Sequence, residues 1–124
     1  MSQYGARKEA LTAATVTTGG AVLSLANPEG VDLIVTDFIL DVTTEATGAA
    51  TVDAGIGASA TTSDDSLIDG ADVGTAAGTF DNTDNKGTNG GRAVKWAADE
   101  YLTVTASATL AGLVGNAYIK WIVA

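Results

Sequence analysis

The chain has no cysteine, no histidine, one proline and one methionine in 124 residues. Without cysteine there is no disulfide framework and no thiolate chemistry. Without histidine as well, the Ser-His-Asp triad, the cysteine nucleophile and the usual zinc and copper sites all fall away. Bases are scarce: six Lys and Arg stand against fifteen Asp and Glu, a net charge of −9. From Glu9 to Asn85 there are thirteen acids and not one base. Nucleic acid is bound by a basic stripe that displaces phosphate counterions, and anionic membranes ask for the same feature. Neither is an expected partner. No apolar run approaches the roughly 20 residues of a membrane span. The stretch MSQYGARKEALTAA lacks the apolar core of a secretory signal, so synthesis in a cytoplasm is the expectation.

What is present is a hydrophobic fraction of 46%, much of it alanine, and fifteen glycines. That supports a single domain with a thin core. A chain of this size buries about two-thirds of its unfolded surface, which makes subunit association an expected second source of stability.

The chain reads as strands punctuated by Gly, Thr, Asn and Asp. AVLSL (21–25) alternates, and NPEG (27–30) is a turn signal. VDLIVTDFILDV (31–42) is the strongest strand. Its even positions Ile34, Thr36, Phe38, Leu40 and Val42 form an apolar face, and Leu33, Val35, Asp37, Ile39 and Asp41 form a mixed one. Val52, Ala54 and Ile56 continue the alternation, as do Leu102, Val104 and Ala106. In NAYIKWIVA, Ala117, Ile119, Trp121 and Val123 share a face opposite Tyr118, Lys120 and Ile122. Helical windows are few: two turns, or equally an extended arm, over 6–14, and one turn over 63–71 with Ser63 or Asp64 as cap and Gly70 as stop. The expectation is an all-β, single-domain β-sandwich, jelly-roll-like, of seven to eight strands with an N-terminal arm. Residues 1–20 form the arm and first strand region, and 21–124 the sandwich. A long polar segment at 61–92, anchored by Leu67, Ile68 and Phe80, is read as an ordered exposed loop with short strands near Val73 and Phe80.

Paired carboxylates are the chemistry that survives, and Asp64/Asp65 and Asp99/Glu100 are the pairs. Both lie in turn-like contexts where solvated turn formers are the rule, so no enzyme is expected. The loop DNTDNKGTNGG (81–91) does not fit a calcium loop: from Asp81 the third position is Thr83, the sixth Lys86 and the twelfth Arg92. Asx turns explain it, with a cation on Asp81 and Asp84 as the weaker alternative. Asp81, Asp84, Lys86 and Arg92 remain its exposed-loop candidates; no metal and no cofactor are expected. Trp96, Tyr101, Tyr118 and Trp121 are read as packing or subunit-interface residues, with a sugar-stacking platform as the alternative.

The C-terminal stretch ADEYLTVTASATLAGLVGNAYIKWIVA resembles the final hairpin of small phage head-decoration (cement) proteins and related virion β-sandwich domains. VTDFILDVTTEATGAATVDAGIGA and LIDGADVGTAAGTFDN are similar to the same group, so the likeness covers about residues 31–124. It implies a virion protein, made in the host cytoplasm, that binds the capsid exterior. Such proteins commonly act as homotrimers at three-fold positions and hold neighbouring major capsid subunits together. Tyr4, Arg7 and Lys8 are candidate capsid contacts on charge and position alone. The alternative function is a receptor- or glycan-binding module of a head or tail fibre.

Overall fold

The computed structural model describes residues 3–11 and 20–124. In chain order the strands are β1 (Tyr4–Leu11), β2 (Gly20–Ala26), β3 (Leu33–Thr44), β4 (Thr51–Gly57), β5 (Ile68–Asp72), β6 (Gly78–Asp81), β7 (Val94–Trp96), β8 (Tyr101–Ala106) and β9 (Val114–Val123). The antiparallel pairs nest: β1 with β9, β2 with β8, β3 with β6 and β7, and β4 with β5. They behave as one long hairpin that has been wound up. Winding brings β9 against β3 and β8 against β4, which gives two sheets. Sheet A runs β1-β9-β3-β6 with β7 also on β3, and sheet B runs β2-β8-β4-β5. This is the strand order of a jelly roll, and the all-β sandwich is the fold.

The strands number nine among the described residues, against the seven to eight expected. The extra one is β1. Of the segment expected as a free arm or two helical turns, residues 3–11 and 20 are described, and Tyr4–Leu11 is a strand paired along its length with β9. Eight residues of ladder outweigh a local helical preference, as tertiary pairing commonly does. The single turn expected over 63–71 is absent too. Asp64 Oδ1 instead accepts a hydrogen bond from the Ser66 amide at 2.9 Å, and Leu67 and Ile68 enter the core in succession.

The phase of β3 also departs from expectation. Its buried residues are Leu33 and Val35, then Phe38, Leu40 and Val42, so the inward set changes parity within the strand. A β-bulge lies between Val35 and Asp37 in the ladder to β9, and one extra residue swaps the faces. Ile34 and Ile39, of opposite parity, both end on the outer side. At this kink β3 passes from β7, which pairs Leu33 to Val35, to β6, which pairs Ile39 to Val42. Asn82 spans the gap. Its amide donates to the Phe38 carbonyl at 3.2 Å, and its side-chain oxygen accepts from the Phe38 amide at 3.0 Å. Its Nδ2 donates to the carbonyls of Gly91 at 3.0 Å and Arg92 at 3.3 Å. A buried asparagine thus replaces the missing piece of ladder.

The inner faces meet over Phe38, Leu40, Ile119 and Trp121 from sheet A and Val52, Ile56, Leu102 and Val104 from sheet B. Trp96 and Phe38 are the largest fully buried side chains. At the corner between β2 and β3, Asn27 accepts from the amides of Glu29 and Gly30, while its Nδ2 reaches the carbonyls of Val31, Trp96 and Ala97. The NPEG turn is thereby tied to the end of β7.

Asn82→Ala strands the buried Phe38 amide and two carbonyls. The expected cost is about 1–3 kcal/mol, read as a lower urea midpoint at unchanged slope. An unchanged midpoint would show that Asn82 does not hold the gap between β7 and β6.

Candidate functional site

The outer face of sheet B is crossed by the chain itself. Residues 58–67 leave β4, fold back over β4 and β8, and enter β5. The crossing is close because β4 carries glycine at its outward positions 55 and 57. A Cβ on Gly55 would lie 2.7 Å from the Ser66 amide, and one on Gly57 would lie 2.7 Å from the Thr62 side chain. The strap is fastened to β8 through the outward threonines. Thr103 Oγ1 donates to the Thr62 carbonyl at 2.7 Å, and Thr105 Oγ1 lies 2.8 Å from Ser63 Oγ. Both threonines are buried for that reason. Ser66 Oγ accepts the Ile56 amide at 3.1 Å, and the Leu67 amide donates to the Ala54 carbonyl at 2.8 Å.

Beside the strap lies a groove of about 240 Å³, lined by Asp53 and by the hydroxyls of Thr61, Ser63, Thr105 and Ser107, with Ala21 and Ala106. Asp53 is the carboxylate of this lining. Its Oδ1 accepts the Gly70 amide at 2.8 Å. Burial raises its pKa above the ordinary carboxylate value; the Gly70 bond opposes that rise, and the neighbouring Asp69, Asp65 and Asp64 add to it. Hydroxyls around one acceptor suit a ligand bound by hydrogen bonds, such as a polyhydroxylated one. Of the sequence pairs, Asp64 caps the Ser66 amide and Asp65 Oδ2 accepts from Asn89 Nδ2 at 3.0 Å. Glu100 Oε1 accepts the Ala97 amide at 2.8 Å.

The 81–92 segment is a sequence of turns. Asp81 Oδ1 accepts the amides of Thr83 at 2.8 Å and Asp84 at 2.7 Å, and Asn85 Oδ1 accepts the Asp81 amide at 3.0 Å. Asp84, Lys86 and Arg92 are exposed and Asp81 is half-buried. Among the described residues no group of three or more Asp or Glu is placed to hold a metal ion.

The two tryptophans belong to the interior. They meet edge-on at 6.4 Å with planes at 88°. Trp96 Nε1 donates to the Glu100 carbonyl at 2.9 Å, and Trp121 Nε1 donates to Glu29 Oε2 at 3.3 Å. Tyr101 and Tyr118 are half-buried on outer faces. Lys8 lies over the Tyr118 ring at 5.7 Å, and Arg7 pairs with Glu9 at 2.7 Å. Tyr4 is 72% exposed, so the sheet A end of the aromatic set is the displayed one. Among the described residues, β1 has no partner on its outer edge.

No family model, curated protein or solved structure matches the chain. The geometry therefore carries the functional reading. It draws attention to residues that sequence reasoning passed over: Asp53, Asn82, and the glycines at 55 and 57. The glycines had a signal, because two glycines at alternate positions of an otherwise apolar strand mark a close backbone approach. Asp53 had none, since its surroundings come from the strap and β8.

The folded protein holds the Asp53 proton more tightly than the unfolded chain does, so the ionised group costs stability at neutral pH and nothing below the carboxylate range. Asp53→Asn keeps an oxygen for Gly70. It is expected to stabilise the fold at pH 7 and to lose that advantage on acidification. A difference that stays the same at both pH values would contradict the burial of this charge.

Proposed function

We propose that the chain is a structural virion protein that binds the outer surface of a phage capsid and stabilises contacts between major capsid subunits. The observation that carries this reading is the jelly-roll order of the two sheets, an architecture that recurs in viral capsid domains. The fold admits many functions, and the resemblance of residues 31–124 to head-decoration proteins selects this one. A net charge of −9 suits a protein that works beside packaged nucleic acid without adhering to it. The partner is the major capsid protein, the place is the capsid exterior, and neither nucleic acid nor membrane is engaged. Shell contact falls to β1, an edge strand that carries Tyr4, Arg7 and Lys8. An open edge of this kind can accept a strand from another protein. Three-fold assembly is the oligomer that the resemblance brings with it.

The groove beside Asp53 favours a second reading, a glycan-binding module of a head or tail fibre, because its hydroxyl lining suits a sugar.

Purified chain added to shells that lack it is expected to co-sediment with them and to raise the denaturant concentration at which they break. Failure to co-sediment with shells from the producing cells, together with a glycan-array signal abolished by Asp53→Ala, would transfer the assignment to the second reading.

A further inference from the structure

The strand positions of the outer face of sheet A balance in charge in a molecule of charge −9, with Lys95 also paired to Asp32 at 3.4 Å beside the face. Its ladder positions hold Lys8, Lys95 and Lys120 against Asp37, Asp41 and Asp81, three bases and three acids. The strands of sheet B carry Asp53, Asp69 and Asp72 and no base. Sheet A's outer face also shows large apolar side chains, Tyr4 at 72% and Ile122 at 43% exposure, with Ile34, Ile39 and Tyr118 half-exposed beside them.

The register sorts this face into rows that cross the strands. One row reads Tyr4, Ile122, Ile34, Lys95 from β1 through β9 and β3 to β7. The next reads Ala6, Lys120, Asp37, and the one after it Lys8, Tyr118, Ile39, Asp81 on β6. The bases Lys8 and Lys120 therefore lie on the β1–β9 half. Asp37, Asp41 and Asp81 lie on the β3–β6 half.

We infer that this face binds a second copy of the chain, about a two-fold axis that lies in the interface and runs along the strands between β9 and β3. Such an axis exchanges the halves and keeps each row at its own height. Lys120 then meets Asp37 of the second copy, and Lys8 meets Asp81. Ile122 packs on Ile34, and Tyr118 on Ile39. Lys95, which pairs with Asp32 at 3.4 Å within its own chain, comes over the face of Tyr4, the geometry of a cation–π contact. Every row is self-complementary, as an isologous contact requires. An axis across the strands would instead lay the basic half on the basic half, so charge selects the first arrangement. Two twisted sheets stacked in this way pack with their strands nearly aligned. A closed pair also occupies the apolar side chains without leaving a surface that propagates into fibres. Elsewhere the surface is acidic and repels its own kind, which makes this the face on which self-association is electrostatically allowed.

The inference does not depend on the virion reading. It sets a two-chain assembly against the three-fold one of that reading, takes Tyr4 and Lys8 for the dimer in place of the shell, and leaves the open edge of β1, with Arg7, for any shell contact.

The absence of cysteine gives a clean test. Within one chain, positions 4 and 95 are three strand spacings apart, roughly 14 Å, too far for a disulfide. Across the two-fold they face each other. Both side chains are exposed, so the double variant Tyr4→Cys/Lys95→Cys is expected to fold. Oxidised at micromolar concentration, it is expected to give a covalent dimer on a non-reducing gel, while each single variant stays a monomer there. Sedimentation equilibrium of the unmodified full chain is expected to show two chains that separate on dilution. Lys8→Glu is expected to raise the dissociation constant by about tenfold or more. A mass of one or three chains would overturn the inference. So would a dimer in which the double variant fails to cross-link, or in which Lys8→Glu has no effect.

Discussion

The bulge in β3 is the constraint on which the rest of the molecule depends. β3 is the longest strand and pairs with three others, so the direction of each of its side chains is felt in both layers. One extra residue between Val35 and Asp37 lets Leu33, Val35, Phe38, Leu40 and Val42 all face inward. An unbroken strand would send either Leu33 and Val35 or Phe38, Leu40 and Val42 into solvent. Each such side chain is worth about 1.5–3 kcal/mol when buried, so the loss would rival the whole stability of a small domain. The bulge interrupts the ladder to β9, and on the other edge of β3, where the pairing passes from β7 to β6, Asn82 satisfies the Phe38 backbone left between them. The parity change and the polar pin thus occupy the two edges of the same short stretch of β3.

The bulge also composes the outer face of sheet A. Because the parity changes, Ile34 lies in the Tyr4–Ile122 row while Asp37 and Ile39 fall into register with Lys120 and Tyr118. The balanced, divided face is thus a product of the kink as much as of composition. Sheet B was treated oppositely. Its outer face is covered by the 58–67 strap, which outward glycines on β4 allow to sit close. The two sides of the sandwich therefore have different characters. One carries charged and apolar rows sorted by the register of its strands, and the other is a strapped, acidic surface with a hydroxyl-lined groove.

Much of this was legible in the sequence. The inward sets of β4, β8 and β9 followed simple alternation, and Ala117, Ile119 and Trp121 are inside as their spacing implied. The sandwich followed from short strands and turn residues. β3 misled because its even positions read as the apolar face throughout, whereas Leu33 and Val35 of the mixed face turn inward ahead of the bulge, and nothing in an unbroken alternation marks the extra residue. β1 was hidden for a different reason. An edge strand needs little apolar content, and YGARKEAL reads as well for helix as for strand until β9 is beside it. The groove was not legible at all, since Asp53, Ser63 and Ser107 meet only once the strap is folded. Asn82 sat unnoticed in a turn-rich loop, where asparagine is ordinary.

The parity change in β3 can be read directly by thiol labelling, with cysteines placed one at a time in a chain that has none. In dilute native solution, Ile34→Cys and Ile39→Cys should react quickly, while Val35→Cys and Leu40→Cys should be protected to the level of the unfolding equilibrium. Positions 34 and 39 reacting alike, across an odd spacing, is the signature of the bulge. If position 40 instead reacts with 34 and position 39 is protected with 35, β3 runs without a kink. The core, the Asn82 pin and the patterned face would then all have to be redrawn.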